Sequence, residues 1–217
     1  MQVLDKPKMM YAPDEMDDLL NGQHFINLNK YSFLYREASG APCMMGFIDN
    51  EATTYTAKDY ENLPEDAPYQ LIDGNLIFMF SPTRIHQKVL GNLYRILTAH
   101  CEKEQLGEVY FAPLDVRFSE YNILQPDLIF VSNARKHILQ ERINGAPDFV
   151  VEILSKNRKY DLGKKKEIYG RFGVLEYWTI DPEEKTVTIW ENENGQMVET
   201  TTSNEQAKSK TVAGFSV

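Results

Sequence analysis

The sequence lacks a hydrophobic run long enough to cross a membrane. No segment of the 217-residue chain approaches the roughly 18 apolar residues of a transmembrane candidate. The N-terminal stretch MQVLDKPKMM also lacks the apolar core of a secretory signal peptide. Both absences predict a protein without a membrane partner. The length favours one domain with an appendage.

Cysteine is scarce as well, and the two cysteines lie far apart in the sequence. Cys43 and Cys101 do not have the spacing of a metal site, so we expect free thiols in a reducing compartment. A disulfide between them is the alternative that the sequence leaves open. The predicted location of the protein is the cytoplasm.

Basic residues are also fewer than acidic ones. The chain has 23 Lys and Arg against 32 Asp and Glu, and a net charge of -9 argues against a protein covered by nucleic-acid-binding surface. Residues 155–171 reverse this balance. Their basic residues are Lys156, Arg158, Lys159, Lys164, Lys165, Lys166 and Arg171. Such a run is usually a solvated helix face, but it could also contact the phosphates of a nucleic acid.

Turn signals and periodicity predict a hairpin followed by a long helix. The stretch YQLIDGNLIFMF predicts two strands joined by the Asp-Gly-Asn turn at 73–75. The helix is predicted to have Ser81 as its N-cap, Pro82 as its first residue and Gly107 at its end. The face expected to be buried consists of Ile85, Val89, Leu93, Ile96 and Leu97.

Five strand patterns follow, and a lysine-rich helix over about 160–171 is inserted among them. The strand patterns are EVYFAPLDVRFSE, LQPDLIFVS, APDFVVEIL, LEYWTID and TVTIWEN. This order predicts a mixed α/β (α+β) fold in which helices flank a mixed sheet. We expect residues 1–55 to be an N-terminal extension, 56–193 the main domain, and 194–217 a tail with a β-hairpin signal at its Asn-Gly turn.

Two carboxylates interrupt strands that are otherwise apolar. Asp127 follows Pro126 at the start of QPDLIFVS, and Glu152 lies in the middle of DFVVEILSK. Both strands are apolar on both faces, as central strands covered on each side are. A carboxylate within such a strand is costly unless it is paired, protonated or bound to a metal.

These carboxylates have a structural and a functional interpretation. In the first, Asp127 caps a turn and Glu152 forms a salt bridge with a basic residue of the next segment, which is the common case for an arbitrary pair. In the second, both carboxylates and the backbone carbonyl of Ile153 bind Mg²⁺ or Mn²⁺, since such ions take oxygen ligands and retain waters. A bound ion could activate water for attack on a phosphodiester.

The Glu-x-Lys motif of many metal-dependent nucleases is broken here, because the residue two after Glu152 is Leu154. The next segment offers a substitute, since Asp161, Lys165 and Tyr169 recur at i, i+4 and i+8 and would share one helix stripe. The lysines on either side of Lys165 would diverge by about 100°. Lys165 could then face the sheet and stabilise negative charge, although such a stripe is more often an ion pair beside a packed tyrosine.

Several stretches, in this order and spacing, resemble the Uma-type family of bacterial restriction endonucleases, a branch of the PD-(D/E)XK nuclease superfamily. They are YQLIDGNLIFM, SPTRIHQKVLGNLY, APLDVRF, LQPDLIFVS, GAPDFVVEILS and DLGKKKEIYGRFGVLEYWTIDP. The resemblance covers about residues 56–192. It implies a restriction-endonuclease-like core, with a mixed central β-sheet flanked by α-helices, within a homodimer. It also implies DNA as the partner and Mg²⁺ or Mn²⁺ as the cofactor.

The resemblance further implies roles for individual residues. Asp127 and Glu152 match the acidic metal ligands, and Lys165 matches the lysine that this family displaces from the strand to the next helix. His86 falls where the family usually has histidine, which places it at the rim of the site. The alternative for His86 is a surface or core histidine that makes one hydrogen bond.

One departure from the family pattern bears on activity. The family motif Tyr-Glu-Leu-Ile-Asp-Gly-Glu reads YQLIDGN at 69–75, so that Gln70 and Asn75 replace two acids. If the first acid belongs to the metal site, Gln70 weakens metal binding or cleavage. Three functions therefore stay open: a metal-dependent DNA endonuclease, a weakened nuclease fold that binds DNA or supports a protein assembly, and a hydrolase of another phosphodiester.

Overall fold

The computed structural model of the protein describes residues 54–64, 67–155 and 158–217. The predicted N-terminal extension lies outside these ranges except for Thr54 and Tyr55. Cys43 and Lys156, which the sequence predicts to be a free thiol and a DNA contact, also lie outside them.

The described chain begins with a short helix and a β-hairpin. Helix α1 spans Ala57–Glu61, and strands β1 and β2 span Tyr69–Ile72 and Asn75–Phe78. The two turn residues, Asp73 and Gly74, both have positive φ angles of 45° and 76°. These are the angles of a type I′ turn, whose twist matches that of the flanking strands. The predicted hairpin is therefore confirmed.

The long helix α2 spans Arg84–Glu104 and begins later than the sequence predicts. Its N-cap is Thr83 rather than Ser81, because the Thr83 hydroxyl accepts a hydrogen bond from the backbone N–H three residues later. Serine and threonine are both good N-caps, so the pattern alone could not choose between them. At the other end Gln105 adopts the left-handed conformation, and the helix stops before Gly107.

The buried face of α2 is rotated relative to the predicted one. The buried residues are Leu90, Leu93, Leu97 and Cys101. By contrast, Ile85 and Ile96 are 54% and 36% exposed. The helix is apolar on two adjacent faces, and periodicity does not say which face packs inward. Cys101 is a free thiol, and burial raises its pKa to about 11.

In the described part of the chain, nine strands and one interrupted helix follow α2. The strands are β3 (Gly107–Phe111), β4 (Val116–Ser119), β5 (Asn122–Leu124), β6 (Leu128–Ser132), β7 (Ile143–Asn144), β8 (Phe149–Ile153), β9 (Glu176–Asp181), β10 (Thr186–Glu193) and β11 (Gln196–Ser203). A 3-10 helix, Asn133–Ile138, links β6 to β7. The helix between β8 and β9, called α3 below, has three consecutive parts: Arg158–Tyr160, the π-helical Asp161–Lys165, and Lys166–Phe172.

The strands form two mixed sheets. The five-stranded sheet has the order β2-β1-β5-β4-β7, and its β4–β7 pair is parallel. The six-stranded sheet has the order β11-β10-β9-β8-β6-β3, and its β8–β9 pair is parallel. The predicted mixed fold class is confirmed, with the strands divided between two sheets instead of one. None of the described helices combines the length and the apolar character needed to span a bilayer.

The C-terminal residues continue the six-stranded sheet. Strands β10 and β11 pair antiparallel around the turn at Asn194 and Gly195, so the boundary that the sequence predicts after residue 193 falls inside a hairpin. Further on, Val212 and Phe215 are buried in the core that α2 forms with this sheet. Phe215 stacks on Trp178 of β9 with ring centroids 6.1 Å apart.

Candidate active site

Asp127 and Glu152 face each other across β6 and β8. The antiparallel register pairs Leu128 with Val151, and one further step along it brings Asp127 opposite Glu152. Cross-strand partners share one face of a sheet with Cβ atoms about 5 Å apart. The side chains of Asp127 and Glu152 are 15% and 3% exposed. The two predicted carboxylates therefore meet at the start of β6, in a shielded position.

Asp127 is held by two donors that bind the same oxygen. Its Oδ2 accepts a hydrogen bond of 2.7 Å from the backbone N–H of Ile153 and a contact of 3.0 Å from Nε2 of His86. The other oxygen, Oδ1, accepts no hydrogen bond from the described residues. The strand β8 thus fixes the carboxylate while one oxygen stays available. The predicted metal contact of the Ile153 carbonyl stays a prediction.

His86 reaches Asp127 from the first turn of α2. Its side chain is 13% exposed, and the hydrogen bond to Asp127 raises the pKa of the imidazole, while burial opposes this shift. The second ring nitrogen, Nδ1, is buried and has no hydrogen-bond partner among the described residues. Because a carboxylate oxygen accepts, Nε2 donates in the contact with Asp127, and His86 orients the Asp127 carboxylate.

Glu152 is likewise held through one oxygen. Its Oε1 accepts hydrogen bonds from Nζ of Lys165 at 2.9 Å and from the hydroxyl of Tyr169 at 2.6 Å. Its Oε2 accepts none from the part of the chain that the structure describes. Both donors come from α3, so this helix decides where the Glu152 carboxylate points.

Lys165 lies at the end of the π-helical part of α3. Its Nζ contacts Glu152 at 2.9 Å and Oδ1 of Asp161 at 3.0 Å. The backbone carbonyl of Asp161 accepts a hydrogen bond from the hydroxyl of Tyr177 at 3.1 Å, which ties this turn to β9. Short π-helical turns within α-helices occur frequently at functional sites. No pattern in the sequence predicts the π turn or the contact that Tyr177 makes with it.

Burial and charge at this site shift the pKa values of Glu152 and Lys165. Burial raises the pKa of Glu152; the positive charge of Lys165 opposes this shift, whereas Asp161 and Asp127 add to it. Burial lowers the pKa of Lys165, but the carboxylates of Asp161, Glu152 and Asp127 raise it by more, so the net shift is upward. Lys165 therefore keeps its proton at neutral pH and presents an ammonium group to the site.

Comparison with known proteins places this chain in a family. A family model, Uma2, described as "Putative restriction endonuclease", matches residues 57–217. The chain belongs to the Uma2 family. The resemblance predicted from the sequence is therefore confirmed, and the family model extends it to the C-terminus. No curated protein matches the chain.

A solved structure has a similar fold. It is described as that of "a putative nuclease belonging to DUF820" from Anabaena variabilis. The two chains are 21% identical with a TM-score of 0.63, and the match covers 73% of this chain and 90% of the other. The likeness concerns the fold, and it confirms the predicted nuclease-like architecture of the Uma2 protein.

The two carboxylates of the Uma2 protein fit a divalent cation that retains waters. The described residues contain no group of three or more His, Cys, Asp and Glu side chains arranged to hold a metal. Mg²⁺, however, is commonly bound through one or two carboxylates and keeps several waters. Asp127 Oδ1 and Glu152 Oε2 belong to residues on one face of the sheet and are not used by donors of the described chain. The donor set is therefore suitable for Mg²⁺ or Mn²⁺.

Gln70, where the Uma2 sequence departs from the family motif, makes its hydrogen bonds to residues other than these carboxylates. Its Oε1 accepts a hydrogen bond of 3.2 Å from the backbone N–H of Gln125, and its Nε2 contacts Sδ of Met79 at 2.7 Å. The residue is buried in β1. Gln70 thus fixes the backbone two residues before Asp127 and makes no hydrogen bond to Asp127, Glu152 or Lys165.

Most of the basic residues predicted to contact DNA already have partners. The pairs are Arg158 with Asp181 at 2.6 Å, Lys164 with Asp73 at 3.3 Å, and Lys166 with the ring of Trp190 at 3.9 Å from its centroid. Lys159 is exposed and has no ion pair within the described ranges. Local charge counting missed these partners because the acids and the ring come from distant parts of the sequence.

Proposed function

We propose that this Uma2 protein is a metal-dependent endonuclease that hydrolyses phosphodiester bonds in DNA. The observation that carries the proposal is the 2.9 Å contact between Nζ of Lys165 and Glu152, at the point where Glu152 faces Asp127. Leu154 cannot provide an ammonium group in the strand, and Lys165 supplies one from α3. The family description favours the same reaction class.

Each side chain has a distinct part in this proposal. Asp127 and Glu152 hold Mg²⁺ or Mn²⁺, which when bound lowers the pKa of a coordinated water and offsets charge on the phosphate. The ammonium of Lys165 stabilises the negative charge that develops on the phosphate oxygens. Tyr169 fixes Glu152, and His86 fixes Asp127. The homodimer, the choice of cation and the cytoplasmic location belong to the proposal as well.

The substitution Asp127→Asn tests the metal-binding part of the proposal. Asparagine can still accept the hydrogen bond from the Ile153 N–H, but it is a much weaker ligand for a hard cation. We expect the rate of nicking of supercoiled plasmid DNA with Mg²⁺ or Mn²⁺ to fall at least about tenfold, since even changes next to metal ligands cost that much. Titration calorimetry should also show Mn²⁺ binding to the wild type and its loss in Glu152→Gln.

The matched control is Asp181→Asn, which removes another buried aspartate of the six-stranded sheet. Asp181 pairs with Arg158 and makes no hydrogen bond to Asp127, Glu152 or Lys165, so nicking should continue near the wild-type rate. If Glu152 had only a structural role, it would form the same ion pair with Lys165, but Asp127 would then have no role in cleavage. Wild-type nicking by Asp127→Asn would therefore favour the structural interpretation.

A second candidate function, a weakened nuclease fold that binds DNA, rests on Gln70. We expect Gln70→Glu to change the nicking rate less than about threefold, well below the 1.4 kcal/mol of a tenfold effect. The reason is that position 70 is tied to Gln125 and Met79 instead of the candidate ligands. A large gain in nicking or in Mn²⁺ affinity would instead place position 70 at the metal and support the second candidate.

A further inference from the structure

The outer face of α2 carries a row of basic residues that the proposed chemistry does not use. Arg84, Lys88 and Arg95 recur at i, i+4 and i+11, so they lie within about 40° of one another around the helix axis. All three are exposed, and none has an ion pair with the residues that the structure describes. The buried residues of α2 lie on the opposite side of the helix.

The sequence around this row has no acidic residues. The chain has 32 Asp and Glu among 217 residues, yet residues 74–101 contain none. Local carboxylates therefore do not neutralise the row, in contrast to the lysine-rich α3. A positive strip on a protein with a net charge of -9 attracts a polyanion to one defined face.

A glycine lies in the middle of the row. Gly91, at i+7 from Arg84, is exposed, and a Cβ atom added to it would meet nothing within 4 Å. Glycine inside a helix costs about 1 kcal/mol relative to alanine. No neighbour within the described chain requires this glycine. A glycine on an outer face allows a ligand to approach the helix backbone closely.

The row begins at the end of α2 that carries His86. Arg84 is two residues from His86, about 3 Å along the helix axis but about 160° away around it, and His86 contacts Asp127. From there the row extends about 16 Å along α2. A polyanion bound along the row would therefore lie on the outer side of α2, with the helix between it and Asp127.

We propose that Arg84, Lys88, Gly91 and Arg95 form the surface that binds the sugar-phosphate backbone of the DNA substrate, an inference that rests on the proposed nuclease function. Double-stranded DNA carries one negative charge per about 1.7 Å of its axis, so a straight row of free cations matches it. Contacts to phosphates position DNA without reading its sequence. The row thus adds affinity for DNA on the outer side of α2, apart from the carboxylates and Lys165.

A triple variant tests the charges of this surface. The variant is Arg84→Gln/Lys88→Gln/Arg95→Gln, and the matched control is Lys58→Gln/Lys185→Gln/Lys208→Gln, which removes three exposed cations elsewhere. Fluorescence anisotropy with a labelled duplex, without divalent cations and at several salt concentrations, gives the Kd. We expect the triple variant to bind at least about tenfold more weakly, with a salt slope smaller by about 2 to 3 because three phosphate contacts are lost. The control should stay within about threefold of wild type, below the 1.4 kcal/mol of a tenfold change.

The variant Gly91→Ala tests close approach without changing charge. Alanine should raise the thermal midpoint, since it is the better helix former, and it should weaken duplex binding because its methyl group separates the helix from the backbone of the DNA. If Gly91 has no role in binding, Gly91→Ala should raise the thermal midpoint and leave duplex binding unchanged.

The results separate this surface from the proposed chemistry. The proposed DNA-binding surface would be overturned if the triple variant bound the duplex with wild-type affinity, or if the lysine control lost as much affinity. Plasmid nicking by the wild type would still support the nuclease function in either case. Binding through the row by a wild-type protein that does not nick DNA would overturn the nuclease and leave the surface in place.

Discussion

Replacing Lys165 by methionine is expected to lower the free energy of unfolding by about 3–5 kcal/mol at neutral pH, the usual result when one partner of a buried ion pair is removed. Lys165 contacts Glu152 and Asp161, whose side chains are 3% and 11% exposed. Methionine keeps much of the length and apolar surface of lysine, so the change removes mainly the ammonium. Urea unfolding, followed by the fluorescence of the buried Trp178, measures the loss.

The loss in this variant is expected to grow with pH. Burial raises the pKa of Glu152, whereas the positive charge of Lys165 lowers it. Removal of that charge therefore raises the pKa of Glu152 further. A carboxyl whose pKa is higher in the folded state binds more protons there, so stability falls as the pH rises above about 4.3 towards the folded pKa. Lys165→Met should therefore be closer to wild type at pH 5 than at pH 8. A deficit that does not change with pH would contradict this account.

Two further variants separate charge from packing. Glu152→Gln in the Lys165→Met background removes an uncompensated charge and should restore much of the stability, while DNA cleavage stays lost because both site groups are gone. Lys164→Met removes an exposed lysine that pairs with Asp73, and it should cost less than about 1 kcal/mol. An equal effect of Lys164→Met and Lys165→Met would show that burial of the pair is not what matters.

The candidate site could be predicted from the sequence where local periodicity determines geometry. Asp127 and Glu152 could be recognised because period-2 alternation and apolar flanks predict two central strands around them. Lys165 could be recognised because it shares a helix stripe with Asp161 and Tyr169. In each case the spacing in the sequence predicts which side chains share a face, and the rest of the chain decides which face packs inward.

Features that depend on distant partners could not be predicted in this way. The choice between Ser81 and Thr83 as the cap depends on which hydroxyl meets a free N–H, and the inward face of α2 depends on the sheet beneath it. The acids that neutralise Lys164 and Arg158 lie in a hairpin turn and in β9. The family motif suggested that position 70 contributes to the metal site, but only the fold shows that the Gln70 amide contacts Gln125 and Met79.

A second large effect is expected at Glu176, which is 1% exposed in β9. Its Oε1 accepts a hydrogen bond from the Trp178 indole, and its Oε2 accepts from the Ser209 hydroxyl and from the backbone N–H groups of Lys210 and Thr211. In Glu176→Gln an amide NH₂ group replaces one of these two oxygens. This group cannot accept the hydrogen bonds and must face the donors at that position. Since a buried unsatisfied polar group costs about 1–3 kcal/mol, and more where a charge is involved, we expect a loss of about 3 kcal/mol or more in urea unfolding.

The matched control for this variant is Glu191→Gln, which removes a surface ion pair with the same Lys210 at 2.7 Å and should cost less than about 1 kcal/mol. Hydrogen exchange should show faster opening of residues 207–217 in Glu176→Gln alone. Alternation along β9 places Glu176 and Trp178 on the face that binds these residues, whereas Tyr177 faces α3 and Asp161. Folded Glu176→Gln should therefore still cleave DNA at the wild-type rate, and a loss of cleavage in the folded variant would contradict this separation of the two faces.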